Sequence, residues 1–437
     1  MPEAQTDKLG VKELVAMGVG GMVGGGIFSV LGLSVSLAGH AAPIAFTLGG
    51  IIALLTGWSY ARLGLKFHSD GGSFTYMERA FCHPNVAALG GWLLLAGYIG
   101  TLALYAYTFG VYGSVMLGGT AHGSVMQHLL ESGILLTFLG VNLYSVKAAG
   151  RTEDIIVIVK VIILSLFAVA GLFYVKADHL LPVFDQGGLG LLMGTALIFV
   201  AYEGFELIPN AVNEMKDPQR DLPRSIMVSI LITIAIYILV SLVAVGNLRP
   251  AEIDKYKEYA LAVAARPFLG HAGFVLIGLG ALLSTASAIN ATLFGTARLG
   301  KVMAQDDALP RAFSIKERTR DIPWLSLCVI CGITIIFVNL ADLTDISSFA
   351  SSTFLLVFSS INFAAFRLRG QINISPVVPL AGLVLCLASW LILFGYLWQH
   401  NPRSLEWIIA ACLGIAALEF LFSQRRPFFK GKGADKD

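Results

Sequence analysis

The stretch Gly18-Val-Gly-Gly-Met-Val-Gly-Gly-Gly-Ile27-Phe28 decides the fold of this chain, because it puts a helix-breaking sequence inside an apolar run. The run extends from about residue 12 to 37, which is long enough to cross a membrane, and six of its nine residues from Gly18 to Gly26 are glycine. Each glycine costs a helix about 1 kcal/mol relative to alanine. The sequence therefore predicts either an unwound segment whose N–H groups form an anion site, or a glycine face for close helix packing.

Apolar runs of this length recur along the whole chain of 437 residues. The composition is 56% hydrophobic and 13% charged, whereas soluble domains have about 45–50% apolar and about 25% charged residues. Because so few residues are left for a wetted surface, an ordinary soluble enzyme, a disordered chain and a nucleic-acid-binding protein are excluded. We predict an all-α integral membrane protein with twelve transmembrane helices near residues 12–37, 43–65, 85–117, 131–147, 154–175, 189–212, 225–247, 269–303, 323–340, 344–366, 377–398 and 404–423.

The basic residues are distributed unequally between the two sides of these predicted helices. With twelve spans both termini lie on one side, which carries 23 Lys and Arg residues, while the other side carries 6 and Lys160 lies within a span. The positive-inside rule then places both termini in the cytoplasm and the chain in the cytoplasmic (inner) membrane. The one sizeable external segment is about 248–268, where Ala251 to Glu258 predicts a short surface helix.

The residue types that carry catalysis or bind metal are isolated in this sequence. Cys328 and Cys331 have the CxxC spacing of metal and redox sites, but no His lies near them in the span. The eight His lie mostly at span ends and in loops. We interpret the cysteines as buried and inert, and predict no disulfide, no metal, no cofactor and no enzymatic activity.

A second interrupted span contains Phe199-Val-Ala-Tyr-Glu203-Gly204-Phe-Glu206, followed by Pro209. Carboxylates inside a span are costly, so they face a cavity or a partner on a neighbouring helix. For Glu206, a structural and a functional role are both open. Acid–base catalysis and metal binding are disfavoured, since no His lies inside the spans at a suitable spacing.

The two interrupted spans are the first and the sixth, five helices apart. This pattern is typical of inverted five-helix repeats with a binding site where the two breaks face each other. Non-helical backbone at this depth is tolerated only along a cavity, and free N–H groups beside free carbonyls suit a zwitterion. We predict a first repeat over 1–176, a second, inverted repeat over 187–370, two further helices over 376–424 and a basic cytoplasmic tail over 425–437.

Lys160 lies in the fifth span, six residues beyond Asp154, so it is about 9 Å deep at 1.5 Å per residue. A lysine at that depth can still extend its ammonium group toward the surface. An outward-facing and an inward-facing Lys160 are therefore both compatible with the sequence. An inward-facing amine would bind and release a proton during transport.

Taken in order, these motifs resemble the amino acid–polyamine–organocation superfamily, in its group of bacterial and archaeal amino acid permeases. Gly24-Gly-Gly-Ile-Phe28 matches the family's break in helix 1, and Ala201-Tyr-Glu-Gly-Phe-Glu206 matches its break in helix 6. The similarity runs from about Leu9 to Arg369 and is weaker in the last two spans. The resemblance implies a LeuT-type fold of 5+5 inverted repeats and transport by alternating access.

The resemblance also implies a site. The substrate carboxylate would meet N–H groups of helix 1, its amino group would meet backbone carbonyls, and two aromatic side chains would cover it. The implied substrate-binding residues are Met22, Gly24, Gly25, Gly26, Phe199, Val200, Tyr202 and Glu203. In proton-coupled members a helix 5 lysine replaces a sodium ion against helices 1 and 8; Lys160 matches it, with Ser284 and Ser287 as nearby hydroxyls. Glu206 is predicted to be structural or gating.

Two positions depart from the family's pattern. Gly25 stands where many relatives have Ser or Ala, so a hydroxyl that would bind the substrate carboxylate is missing. Glu203 stands where many have an apolar residue: inside the pocket it favours a cationic substrate such as an amine or a basic amino acid, whereas toward neighbouring helices it says nothing about substrate. It stays open which residues of helices 3, 8 and 10 face the pocket, among Tyr98, Tyr105, Asn290 and Ser351.

The predicted function is secondary active transport of amino acids, proton-coupled and sodium-independent. The partners would be a small-molecule amino acid or amine, the proton and the lipid bilayer. An exchanger of amino acids or polyamines would use the same site and is the main alternative. A membrane nutrient sensor that binds without transporting is a remote one.

Overall fold

The computed structural model describes residues 8–69, 71–81, 84–119, 123–144, 149–315 and 323–429. Some features predicted from the sequence fall outside these ranges. They include one of the five cysteines, Cys82, two of the basic residues counted on the side of the termini, Lys147 and Lys316, and the last part of the basic tail, residues 430–437.

The described chain is built of helices, and the first nine α-helices hold both predicted breaks. They are α1 (Val11–Met22), α2 (Gly26–Ala38), α3 (Ala42–Lys66), α4 (Gly72–Ala80), α5 (Pro84–Met116), α6 (Val125–Tyr144), α7 (Ala149–Leu172), α8 (Gly187–Leu197) and α9 (Pro218–Asn247).

Eight further α-helices and several 3-10 helices complete the described fold. The α-helices are α10 (Pro250–Lys255), α11 (Ala260–Ala264), α12 (Arg266–Gln305), α13 (Trp324–Leu340), α14 (Leu343–Arg367), α15 (Arg369–Ile372), α16 (Val377–His400) and α17 (Pro402–Phe429). The 3-10 helices are Gly39–Ala41, Ala177–Leu180, Ile198–Tyr202, Phe205–Glu214, Lys257–Tyr259 and Arg311–Ser314.

Within the described ranges, nine helical segments are long and apolar enough to cross a membrane. Gly187–Glu214 is the most enclosed of them, and Pro402–Phe422 is the most exposed. Large apolar side chains such as Leu136, Leu231 and Leu391 are exposed on the outside of the bundle. Such faces are stable against lipid and costly in water, so the chain is an all-helical, multi-pass membrane protein. The total of twelve spans stays a prediction.

The predicted interruption of the first span is present. α1 ends at Met22 and α2 begins at Gly26, and Val23 between them has ψ 51°, outside the helical range. Helical bonding stops with the Val23 N–H on the Val19 carbonyl, at 2.8 Å, and resumes with the Ser29 N–H on the Gly25 carbonyl, at 3.1 Å. The glycines lower the free energy that is lost on unwinding this segment, because glycine is the weakest helix former after proline.

The sixth span is also interrupted where the sequence predicts it. After α8 the chain continues as two 3-10 helices, which are separated by Glu203 in an extended conformation and by Gly204 at φ 125°. Residues with a Cβ rarely adopt that φ, so only glycine fits here without strain. Pro209 lies inside the second 3-10 helix and has no N–H to donate.

Both breaks are enclosed by other helices. α1 packs against α7, α9 and α12, whereas α2 packs against α8 and α5. At the other end of α1, an isolated parallel bridge joins Leu9 to Met215. The Leu9 N–H bonds the Glu214 carbonyl at 2.8 Å, and the Lys216 N–H bonds the Leu9 carbonyl at 2.9 Å. The start of α1 is thereby tied to the end of the interrupted sixth span.

A lid formed by α10, Lys257–Tyr259 and α11 lies over α2. This segment includes the short helix predicted between Ala251 and Glu258. Ser36 of α2 donates to the Asp254 carboxylate at 2.7 Å, and Tyr107 of α5 donates to the Glu258 carboxylate at 2.7 Å. The lid therefore joins α2, the second half of the first span, to α5.

Candidate functional site

The two breaks touch each other through their backbones. A Cβ at Gly204 would lie 2.6 Å from both the Gly21 carbonyl carbon and the Met22 nitrogen. A Cβ at Gly26 would lie 2.8 Å from the Ala201 Cα. Glycines thus allow a contact between the first and sixth spans that side chains would prevent, and the unwound segments meet deep inside the bundle.

Tyr237 of α9 joins the two breaks. Its hydroxyl lies 2.6 Å from the Met22 carbonyl oxygen and 2.9 Å from the Ala201 carbonyl oxygen, and its side chain is fully buried. A buried carbonyl without a donor costs about 1–3 kcal/mol, so this hydroxyl stabilises the unwound backbone of both spans. Tyr237 was not predicted from the sequence, where it is one aromatic residue in an apolar run.

The first turn of α2 begins at the break and has no side-chain cap. The N–H groups at the start of a helix lack carbonyl partners within that helix and attract anions. Tyr105 of α5 lies directly in front of this turn: a Cβ at Gly24 would be 2.9 Å from its hydroxyl oxygen, and a Cβ at Gly25 would be 2.6 Å from its Cδ1. Tyr105 therefore occupies the space in front of the predicted carboxylate site.

Two buried carboxyl groups flank the break in the sixth span. The Glu206 Oε1 accepts from the Tyr98 hydroxyl at 3.3 Å, and its Oε2 accepts from the Gly204 N–H at 2.8 Å. The Glu203 Oε2 accepts from the Tyr105 hydroxyl at 3.4 Å, while its Oε1 has no hydrogen-bond partner among the described residues. Both carboxyl groups thus face α5, and that of Glu203 has one oxygen, Oε1, that accepts no hydrogen bond from the described residues.

Lys160 is fully buried and points inward. Its Nζ donates to the Gly20 carbonyl oxygen at 2.6 Å, just before the break in the first span. On the other side of the break, the Ser284 hydroxyl of α12 lies 2.8 Å from the Val23 carbonyl oxygen and 2.9 Å from that of Gly24. The outward-facing alternative for Lys160 is therefore wrong in this structure. Ser287 is buried, but no hydrogen bond from it to the first span is found within the described ranges.

The remaining predicted site residues already have partners. The Val200 N–H donates to the Ser351 hydroxyl at 3.1 Å, and the Val200 carbonyl accepts from the Glu203 N–H at 3.1 Å. The Tyr202 hydroxyl donates to the Phe46 carbonyl at 2.6 Å. The ring of Phe199 packs edge-on against Phe358. Tyr202 and Phe199 thus contact α3 and α14.

Four residues of the third, eighth and tenth predicted spans were left open by the sequence, and they separate into two groups. They lie in α5, α12 and α14 of the structure. Tyr98 and Tyr105 face the sixth-span break, and Ser351 bonds its backbone, with its hydroxyl also donating to the Leu197 carbonyl at 2.6 Å. Asn290, in contrast, accepts from Asn142 of α6 at 2.9 Å. Sequence alone left all four equivalent, because the rotation of each helix about its axis is set by packing.

A cavity of about 500 Å³ lies beside the breaks. Its wall comes mainly from α1, the 3-10 helix after Gly204, α5 and α12, with single residues of α4 and α7. It includes Met17, Gly21, Ser73, Tyr98, Val157, Glu206, Leu207, Asn210, Phe294 and Arg298. Among the predicted site residues, which are all described, Glu206 is the one in this wall. The cavity therefore reaches the break at Gly21 and Glu206, while the Gly24–Gly26 turn lies behind Tyr105.

Comparison with known proteins matches residues 9–418 to a family model described as amino acid permease. An uncharacterized protein of Methanocaldococcus jannaschii is 33% identical over 96% of each chain. The inner membrane transport protein YbaT of Escherichia coli is 34% identical, over 93% of this chain and 94% of its own. The serine/threonine exchanger SteT of Bacillus subtilis is 26% identical, over 88% of this chain and 91% of its own.

Proposed function

The chain belongs to the amino acid permease family, and from that premise we propose that it moves amino acids across the cytoplasmic membrane by proton-coupled, sodium-independent alternating access. The family and the names of its relatives indicate a transporter rather than an enzyme, and an amino acid, a small molecule, as what is transported. The coupling to protons and the independence of sodium are parts of the proposal.

The proposed architecture is a LeuT-type fold of twelve spans with both termini in the cytoplasm. Its first repeat would include α1 to α7, and its second, inverted repeat would include α8 to α14. The breaks in the first and sixth spans support this pairing, since they are equivalent positions in two five-helix repeats. α16 and α17 would be the last two spans.

The substrate is proposed to bind between the two breaks. Its carboxylate would bind the N–H groups of Gly24, Gly25 and Gly26, which the uncapped first turn of α2 supports. Its amino group would bind the carbonyls of Met22, Val200 and Glu203. Phe199 and Tyr202 now contact α14 and α3, so covering the substrate would require them to turn.

Lys160 is proposed to carry the coupling proton. As a buried ammonium it donates to the Gly20 carbonyl at 2.6 Å; as a neutral amine it would hold that carbonyl more weakly. Protonation would thus change how firmly α7 holds the first span. Ser284, which bonds carbonyls on the other side of the break, would hold α12 to the same segment, and Glu206 would join the break to α5.

The observation that carries the proposal is the convergence of Lys160, Ser284 and Tyr237 on backbone carbonyls in and directly before one unwound segment. The experiment is uptake of a radiolabelled amino acid panel into empty proteoliposomes under an inward proton gradient, with and without sodium. We expect gradient-driven, sodium-independent uptake that Lys160→Ala abolishes. The control is Lys176→Ala, which removes a lysine just beyond α7. Uptake that requires sodium, or that survives Lys160→Ala at full rate, would contradict the proposed coupling.

The similarity to a protein named as an exchanger favours a second candidate. An exchanger of amino acids or polyamines would use the same site. Without a bound substrate, however, it would not change between its outward-facing and inward-facing conformations. Uptake would then be absent in empty vesicles and present in vesicles preloaded with an amino acid or amine. A nutrient sensor would bind the same ligands and show flux in neither case.

A further inference from the structure

The two carboxyl groups at the sixth-span break differ in how fully they are bonded. Both Glu206 oxygens accept a hydrogen bond, one from Tyr98 and one from the Gly204 N–H. Glu203 accepts one long bond, at 3.4 Å from the Tyr105 hydroxyl, and interacts with the neighbouring Thr101 and Glu206 side chains, but its buried Oε1 has no hydrogen-bond partner among the described residues. A buried acceptor without a donor is unfavourable, so Glu203 has an unfilled place for a donor.

Tyr105 lies at the other oxygen of the same carboxyl group, the Glu203 Oε2. Its hydroxyl lies between the two breaks: it donates to Glu203 of the sixth span, and it stands 2.9 Å from where a Cβ of Gly24 would be. The space between the breaks is therefore filled by a donor that belongs to the protein. Its bond to Glu203 is weak, since 3.4 Å is beyond the usual range for a hydroxyl donor.

We propose that the Glu203 carboxylate binds the α-ammonium group of the transported amino acid, and that the substrate displaces the Tyr105 hydroxyl to do so. This inference rests on the proposed function, which puts the substrate's amino group at this break. An ammonium has three donors and a full charge, whereas the tyrosine hydroxyl has one donor and no charge. The substrate's ammonium group can therefore donate to both Glu203 oxygens. Its hydrogen bonds are charge-assisted and so are stronger than the bond from the neutral Tyr105 hydroxyl.

The assignment explains why two similar carboxyl groups lie three residues apart at one break. Both Glu206 oxygens have donors within the protein, a short bond from the Gly204 N–H at 2.8 Å and a long one from Tyr98 of α5 at 3.3 Å. Glu203 keeps an oxygen for the ligand. Tyr98 and Tyr105 lie seven residues apart, and therefore on one face of α5, and each donates to one of these groups. Tyr98→Phe is thus a matched control for Tyr105→Phe. It also removes one tyrosine hydroxyl, but that hydroxyl donates to Glu206, both of whose oxygens already accept a hydrogen bond.

The test compares an amino acid with the 2-hydroxy acid of the same side chain, which replaces the ammonium group by a hydroxyl. Affinities are measured on the purified, full-length protein as competition against a bound radiolabelled amino acid. We expect wild type to favour the amino acid, and Glu203→Gln to reduce that preference by about 10- to 100-fold, the range for hydrogen bonds to charged groups. Tyr98→Phe should keep the wild-type preference. A wild-type preference in Glu203→Gln would overturn the inference.

Tyr105→Phe provides a second measurement, should Glu203→Gln not fold. It removes the competing donor and leaves the ring, so the dissociation constant of the amino acid should fall while the preference over the hydroxy acid persists. An unchanged or raised dissociation constant would overturn the displacement by substrate. If Glu203→Gln lowered the affinity only for lysine, arginine and amines, the α-ammonium assignment would be overturned, because the carboxylate would then bind a cationic side chain. A wild type that binds no amino acid overturns the proposed function as well, whereas an unaltered preference in a transporting Glu203→Gln overturns this inference alone.

Discussion

Gly204→Ala should separate the two breaks, and the structure gives the size of the effect. The new Cβ would lie 2.6 Å from the Gly21 carbonyl carbon and the Met22 nitrogen, which are backbone atoms that cannot turn aside. Holding an alanine at φ 125° costs about 1–3 kcal/mol, and overpacking at such a contact costs about 1–3 kcal/mol more. We expect the free energy of unfolding to fall by about 2–6 kcal/mol and amino acid uptake to be lost.

The assay is the free energy of unfolding in mixed micelles, titrated with SDS, together with uptake by the same preparation in proteoliposomes. Gly332→Ala is the matched control, because it lies in α13 and a Cβ there would meet no heavy atom within 4 Å. Alanine is also the better helix former by about 1 kcal/mol, so this variant should not be destabilised. If Gly204→Ala were as stable and as active as Gly332→Ala, the close backbone contact between the breaks would be refuted.

Three further predictions concern the parts that hold the breaks in place. Tyr237→Phe leaves the Met22 and Ala201 carbonyls without their buried donor, and should lower the free energy of unfolding by about 1–3 kcal/mol in the same titration; stability equal to wild type would contradict the bridging role. Ser284→Ala should slow gradient-driven uptake, since the Val23 and Gly24 carbonyls lose their hydroxyl donor, whereas Thr137→Ala, whose hydroxyl bonds only the Gly133 carbonyl within α6, should not. Gly32→Ala would overlap the Lys257 carbonyl and should lift the lid off α2, which limited proteolysis near Asp254 would detect as faster cleavage; wild-type cleavage would count against the close lid contact.

The positions of the breaks were predictable because they depend on local chemistry. The glycines of the first span, and the Glu203-Gly204 pair followed by Pro209, weaken helical bonding wherever the segment lies in space. The burial of Lys160 was only half predictable. Its depth follows from helical rise, but a lysine at that depth can point inward or toward the surface.

The partners of the breaks could not be predicted, because they depend on how each helix is rotated and packed. Tyr237, Tyr105 and Ser351 lie in α9, α5 and α14, between 36 and 215 residues from the backbone groups they bond or cover. Nothing in their local sequence distinguishes them from lipid-facing or core aromatics and hydroxyls. The two orientations left open for Glu203 were likewise a question of packing: its carboxyl group is buried toward Tyr105, outside the cavity wall that includes Glu206.

The most direct test of the account is an experimental structure of the protein with a transported amino acid bound. The account predicts ligand density between the two breaks, with the carboxylate at the N–H groups of Gly24 to Gly26, the ammonium at Glu203, and Tyr105 turned away from its present position. Ligand density confined to the cavity between Met17 and Arg298, with Tyr105 still bonded to Glu203, would contradict it.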